Sequence, residues 1–347
     1  ERYVRSLSSQ TLLAAPGERF AYSNIGYEVL GALIAVVSGM TFEDYVRKHI
    51  LLPLGMEHST HLKAEIPEGA FAEPHLRGLN TELSTLYPYH RAHAPSSTLH
   101  SSAHEMNLWM RSHLPGARDT RTVVLQTDSL KQMWDPQADV RKAGSPGTGI
   151  IQQIGLGWFL GEHRENKTLS HSGQDIGFTS QLVLIPGKSL GVTVLCSSSP
   201  APVRAITLGI LDILLGMDAP RVLPSIMTPL GEAYNSAPDP AESGLQAVRK
   251  RFLELQGSDP DRYDTSPERF LESCSSLLDA GRNRDALNLL TFILELHPQN
   301  AAAWEMLARA HFQNGNMAQA GKAAMRSLEL EPDNPFLLQQ VKGLQGK

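Results

Sequence analysis

The sequence has little cysteine, no basic excess and no long uninterrupted apolar run, and each shortage removes a class of protein. Its two cysteines, Cys196 and Cys274, are far apart and lack Cys-x-x-Cys spacing. They supply neither a disulfide framework nor a zinc site. A formal net charge of −5 lacks the basic footprint of a nucleic-acid binder. The longest apolar stretch, residues 25–37, is interrupted by Glu28 and falls short of the roughly 20 residues that span a bilayer. No membrane helix is expected. The chain opens at Glu1 without methionine or a signal-peptide pattern, from which a fragment or processed form is expected.

What remains is ordinary soluble material. With 347 residues, 41% hydrophobic and 19% charged, the chain is long enough for two domains around sizeable cores. Residues 24–38 read as a mostly buried helix stopped by Gly39, and Thr41 with Asp44 forms a capping box for the next. Residues 57–100, rich in Pro, His, Ser and Gly, read as an irregular excursion. Ser102 and Glu105 form a second capping box ahead of "AHEMNLWMRSHL". From Gly155 the period changes: "GLGWFLGEH", "KTLSHSG", "FTSQLVLIP" and "GVTVLCSSS" are short β-rich runs separated by turn residues. They predict an antiparallel meander, followed by helix in "APVRAITLGILDILLGM". Helices with an antiparallel sheet give an α+β class for residues 1–217.

Residues 218–242 carry prolines at 220, 224, 229, 238 and 240 and read as a linker. Beyond it, residues 243–347 read as helical. Aligning 267–300 with 301–334 superimposes Gly281 on Gly315, Ala286 on Ala320, Pro298 on Pro332 and Asn300 on Asn334. Phe270 meets Trp304. A 34-residue period of this kind resembles the tetratricopeptide pattern, with glycine where paired helices turn. Two repeats are fewer than the three usually needed, so the helix around Leu245–Leu255 or contact with the first domain is expected to complete the stack. Such repeats imply a protein partner.

Chemistry enters with Tyr22-Ser23-Asn24 at the mouth of the first long helix and His171-Ser172-Gly173 at the start of the meander. Each has a plain structural reading. Ser23 or Asn24 caps a helix, and His171-Ser172-Gly173 makes a turn before a strand. In order and in context, however, "PGERFAYSNIGYEVLGALI", "LLPLGM", "SSAHEMNLWM", "GLGW" and "HSGQDIGFTSQLVLIP" resemble the serine β-lactamase and penicillin-binding protein superfamily. The likeness is greatest to its class C-like esterases and D-amino-acid peptidases, and runs over residues 16–216. That family has Ser-x-x-Lys, then Tyr-x-Asn, then Lys- or His-x-Gly on a sheet strand. Here no serine stands three residues before any lysine; Thr60-His61-Leu62-Lys63 comes nearest but lies downstream of Tyr22. Loss of an N-terminal segment is the expected reason, leaving a sheet edge or core face uncovered.

The resemblance implies roles. Tyr22 is the general base for acylation and the acid for the leaving group. This requires positive charge nearby to lower a pKa ordinarily near ~10. Asn24 hydrogen-bonds the substrate carbonyl and orients the lysine. His171 polarises the tyrosine or binds substrate acid groups, less firmly than a lysine would near neutral pH. Ser172 lines the same strand, Gly173 lets substrate approach its edge, and the Gln174 N–H supplies half of an oxyanion hole. The substrate is then an amide, ester or β-lactam, cell-wall peptides included. No cofactor or metal is implied, and family members commonly work outside the cytoplasm.

Other patterns lead nowhere. Gly187-Lys188-Ser189-Leu190-Gly191 fits Gly-x-Ser-x-Gly but lies between two strands, where a nucleophile elbow cannot form. It also lacks the upstream glycine of a P-loop. His90, His93, His100 and His104 have no Cys or carboxylate at ligand spacing. Two readings stand: a serine hydrolase whose nucleophile lies outside these residues, and a degenerate hydrolase domain used as a binding scaffold.

Overall fold

The computed structural model describes residues 2–12, 14–18, 20–78, 81–114, 124–140, 149–218, 225–238, 240–258, 262–263, 265–332 and 337, without the side chains of 2 and 240–242. After the short α1 (Arg2–Ser6) come α2 (Asn24–Ser38) and α3 (Phe42–Val46). Ser23 caps α2 by accepting from the Gly26 N–H at 3.2 Å, and Gly39 ends it with φ +69. Thr41 caps α3 and accepts from the Asp44 N–H at 3.1 Å, as its capping box predicts. β1 (His75–Arg77) and β2 (Thr81–Leu83) give the excursion more order than its composition suggests. Then follow α4 (Ala103–His113), capped by Ser102, and α5 (Thr127–Met133).

The meander forms as expected. Strands β3 (Ala138–Asp139), β4 (Gln153–Ile154), β5 (Phe159–His163), β6 (Asn166–Asp175), β7 (Phe178–Ile185) and β8 (Leu190–Cys196) make one antiparallel sheet in sequence order. One face packs on α4 through Met110, Leu114, Leu169 and Leu184. The other packs on α6 (Val203–Leu214) through Val183, Ile185, Val192 and Leu211. β7 is thus buried on both faces, which is why "LVLI" runs apolar without alternation. The β5–β6 turn uses Arg164 and Glu165 at φ +48 and +61, the left-handed pair of a type I′ hairpin. The buried Asp212 carboxylate on α6 accepts from Arg164 Nε and Nη2 at 3.0 Å and from His163 Nε2 at 2.7 Å. The Arg164 hydrogen bond is the leading cause holding Asp212 below the ordinary carboxylate range. A second sheet places β1 between β2, antiparallel, and β9 (Ser198–Ser199), parallel.

Two expectations need correction. α2 is not mostly buried: only Glu28 and Gly31 are, while Val36 and Val37 stand 70% and 78% exposed. Val29 and Leu33 on the same helix are exposed as well. Glu28, 3% exposed, instead ties α2 to the following loop by accepting from His93 Nδ1 at 2.6 Å and Ser96 Oγ at 2.7 Å. The second correction concerns residues 218–242, where α7 (Met227–Asn235) folds in place of an open linker. Ile226 and Leu230 are fully buried in the helical core, because Pro229 falls in the first turn of α7, where proline is tolerated. Residues 219–224 lie outside the described set.

α7 and α8 (Pro240–Ser258) form a helix pair ahead of α9 (Pro267–Asp279) with α10 (Asn283–Leu296) and α11 (Ala301–Gln313) with α12 (Met317–Leu330). Gly281 and Gly315 take φ +74 and +75 at the equivalent turns. Val248, Phe252, Phe270, Phe292 and Leu230 share one core, so a third pair completes the stack. Asn334 lies outside the described residues. No single helix among those described is long and apolar enough to cross a membrane.

Truncating Leu230 to Ala should cost about 2–5 kcal/mol in denaturant unfolding of the helical module; a linker residue would cost almost nothing. A second expectation concerns His61, whose pKa burial pushes down to about 4. Because the folded value lies below the unfolded one, its contribution is intact above pH 6.5 and declines as pH falls. The slope is about 1.4 kcal/mol per pH unit and levels off near pH 4. Stability curves of the wild type and His61→Gln should converge over that window.

Candidate active site

β6 carries the second half of the motif pair. His171-Ser172-Gly173 sits within the strand and not in a turn before it. Register with β7 pairs His171 with Leu182, Ser172 with Gln181, Gly173 with Ser180 and Gln174 with Thr179. On the other side β5 accompanies β6 only as far as the Phe159–Ser170 pair. From His171 to Asp175, therefore, no strand among the described residues pairs with that edge of β6. Peptide groups on such an edge are ready to pair with an extended substrate. A Cβ at Gly173 would lie 2.7 Å from Ser180 Oγ and would make that hydroxyl turn aside.

The start of α2 brings the first half to this edge. The Tyr22 ring lies 6.4 Å from the His171 ring and stacks on Phe159 at 6.3 Å and 16°. Phe159 and His171 are 5.4 Å apart, so three rings from three elements converge. Tyr22 is 53% exposed, which leaves its hydroxyl accessible. Asn24 is the first residue of α2 and is exposed; the cap itself is Ser23. Ser172, Gly173 and Gln174 are exposed along the strand. Ser97 Oγ donates to Asp175 Oδ2 at 3.3 Å and anchors the far end of the edge to the excursion.

Burial lowers the His171 pKa below its ordinary value, partly offset by the hydrogen bond from Nδ1 to the Ser172 carbonyl at 2.8 Å. That bond fixes the proton on Nδ1 and leaves Nε2 with a lone pair. Burial thus disfavours the charged ring, and its neutral form offers an acceptor at Nε2. Tyr27, beside Tyr22, is pushed up by burial and then by the Tyr22 hydroxyl.

Phe159 was missed by sequence reasoning. It stands in "GLGWF" as one more aromatic of a strand, and only the β5–β6 register reveals its neighbour. Thr60 and Lys63 do not form a nucleophile pair: Thr60 Oγ1 donates to Glu65 Oε2 at 2.6 Å, while Lys63 Nζ sits 3.6 Å from the Tyr87 ring centre. Gly187-Lys188-Ser189 is the β7–β8 turn. Among the described residues no group of three His, Cys, Asp or Glu is arranged to hold a metal.

Residues 1–215 match the beta-lactamase family over more than half of the chain, and the protein belongs to that family. Residues 275–335 match the tetratricopeptide repeat. Among characterised proteins, the chain is 26% identical over 233 residues to the D-alanyl-D-alanine-carboxypeptidase/endopeptidase AmpH of Escherichia coli K12, covering 65% of this chain and 58% of that protein. It is 24% identical over 194 residues to protein flp of Staphylococcus aureus MW2, covering 56% and 36%. Among solved structures, the octameric penicillin-binding protein homologue of Pyrococcus abyssi superposes with a TM-score of 0.54 at 28% identity, covering 67% of this chain and 50% of that one. The chain thus spans 58% or less of the length of each of these relatives.

The His171 imidazole should titrate below 6.5 when followed by NMR, against 6.5 for an unperturbed histidine. Substituting Phe159 by Ala, which opens its surroundings to water, should move that value back up.

Proposed function

We propose that this domain is the base-and-strand half of a serine hydrolase working through an acyl-enzyme on amide or ester bonds, with D-configured or cell-wall peptides as the favoured class. The convergence of Tyr22 on His171 at the open edge of β6 carries the reading. A serine hydroxyl attacks a carbonyl only when a base removes its proton. Tyr22 is that base and returns the proton to the leaving group. As Tyr22 takes the serine proton it passes its own to Nε2 of His171, which hands it back when Tyr22 protonates the leaving group; His171 stands where the family pattern also admits lysine. Asn24 donates its amide N–H to the substrate carbonyl. Substrate lies along 171–175, where glycine at 173 permits close approach. The Gln174 N–H points to one half of the oxyanion hole, an interaction worth about 3 kcal/mol in other hydrolases. The activity named for AmpH supports the D-peptide class. The proposed chemistry needs no cofactor.

Ser-x-x-Lys is not among the 347 residues, so the chain by itself is expected to be inert. The same observation favours a second reading, a scaffold whose hydrolase domain only binds and whose helical repeats recruit a protein.

Intact-mass spectrometry separates the two. The 347-residue chain should take no adduct from a fluorophosphonate or a penicillin and should hydrolyse a chromogenic ester no faster than its Tyr22→Phe variant. The protein made from its own gene should take a single adduct. A native product of 38.0 kDa without adduct would decide for the scaffold.

A further inference from the structure

Among the described residues, α9 and the turn after it meet all three strands of the small sheet. On β9, Ser199 Oγ shares a buried 2.9 Å hydrogen bond with Ser276 Oγ of α9. Beside β1, Gly78 packs against Leu277, whose methyls lie 3.1 and 3.2 Å from where a Cβ on that glycine would stand. On β2, Glu82 Oε2 accepts from Arg282 Nη1 at 2.6 Å, just past the end of α9. Repeats of this kind ordinarily offer such a helix to a separate polypeptide. Here the occupant belongs to the same chain.

The small sheet in turn holds the end of the site strand. The His75 N–H donates to the carbonyls of Gly177 and Ser197 at 3.3 and 3.2 Å. Pro74 fills the space that a Cβ on Gly177 would need, and Gly177 takes φ +73. Thr179 Oγ1 donates to the Ser198 carbonyl at 2.8 Å. Gly177 lies in the turn that joins β6 to β7, and Thr179 is the register partner of Gln174. Because among the described residues 171–175 pair with a strand on one side only, a restraint on that turn has a large share in fixing where the open edge lies.

We propose that the helical repeats act as an internal clamp: α9 grips the small sheet and, through it, sets the position of the β6–β7 turn and of the 171–175 edge. Ser276, Leu277 and Arg282 are then positioning residues for the site. The relevance to catalysis rests on the hydrolase reading above; the mechanical coupling does not.

Wedges driven in from opposite sides test the clamp in the 347-residue chain. Ser276→Arg enters from α9, where Ser276 is 2% exposed, and Gly78→Val enters from the sheet, outside the helical core. Glu82→Arg sets like charges against Arg282 at the surface and leaves the Arg282–Asp285 pair within the repeats in place. Hydrogen exchange of the 173–179 amides and the His171 imidazole resonance are the readouts. All three variants should speed exchange there, the wedges by about tenfold or more, and should shift the His171 resonance while α6 stays at wild-type protection. Wild-type exchange at 173–179 in the wedge variants overturns the proposal, since an interface that tolerates arginine at Ser276 is no grip. Wild-type exchange in Glu82→Arg removes Arg282 from the clamp. Loss of the hydrolase reading alone would leave these exchange results unchanged.

Discussion

The pairing of β6 with β7 is the constraint from which the rest of the first domain follows. Register runs unbroken from Leu169–Leu184 to Asp175–Phe178, and a slip of one residue would exchange the two faces of the sheet. Leu182 and Leu184 would then leave the α4 side, and Val183 and Ile185 would leave the α6 side. The same register presents His171, Gly173 and Gln174 at the position where β5 has already ended. The open edge is therefore not a loose end of the sheet. It is secured on one side by a strand buried on both faces.

Much of this arrangement is legible in the sequence, and the reasons differ by element. Thr41 and Ser102 cap their helices as read, because a cap is local chemistry, whereas the Glu105 carboxylate accepts from the His58 N–H and Ser59 Oγ and does not close its box. The 34-residue period works because Gly281 and Gly315 must take the same left-handed turn. β-rich runs with turn residues between them could hardly form anything except a meander. Tyr22 and His171 could be paired only through family resemblance, since 148 intervening residues carry no local sign of their approach. The misreadings come from composition standing in for packing. Prolines at 220–240 suggested a linker, yet Ile226 and Leu230 find a core. An apolar run in α2 suggested burial, yet hydrophobicity states what a side chain prefers and not whether a neighbour is present.

Histidine at 171 changes the electrostatic logic of the site. A lysine, with an ordinary pKa near ~10.4, would favour the charged form beside Tyr22 far more than an imidazole does. An imidazole with its Nδ1 proton committed to the Ser172 carbonyl offers an acceptor instead. Its ring also belongs to an aromatic stack with Phe159 and Tyr22, a setting that penalises charge. On the proposed hydrolase reading, a neutral acceptor for the tyrosine proton replaces stabilisation of a tyrosinate by a fixed cation.

The bare ridge of α2 bears on how this polypeptide behaves in a tube. Val29, Leu33, Val36 and Val37 present to solvent a surface chemistry usual for a partly unfolded chain, although the helix beneath them is capped and anchored by Glu28. Sulfate or phosphate, which strengthen apolar association by exclusion from protein surfaces, would drive such molecules together long before they melt. The practical ceiling on concentration is then colloidal and not conformational.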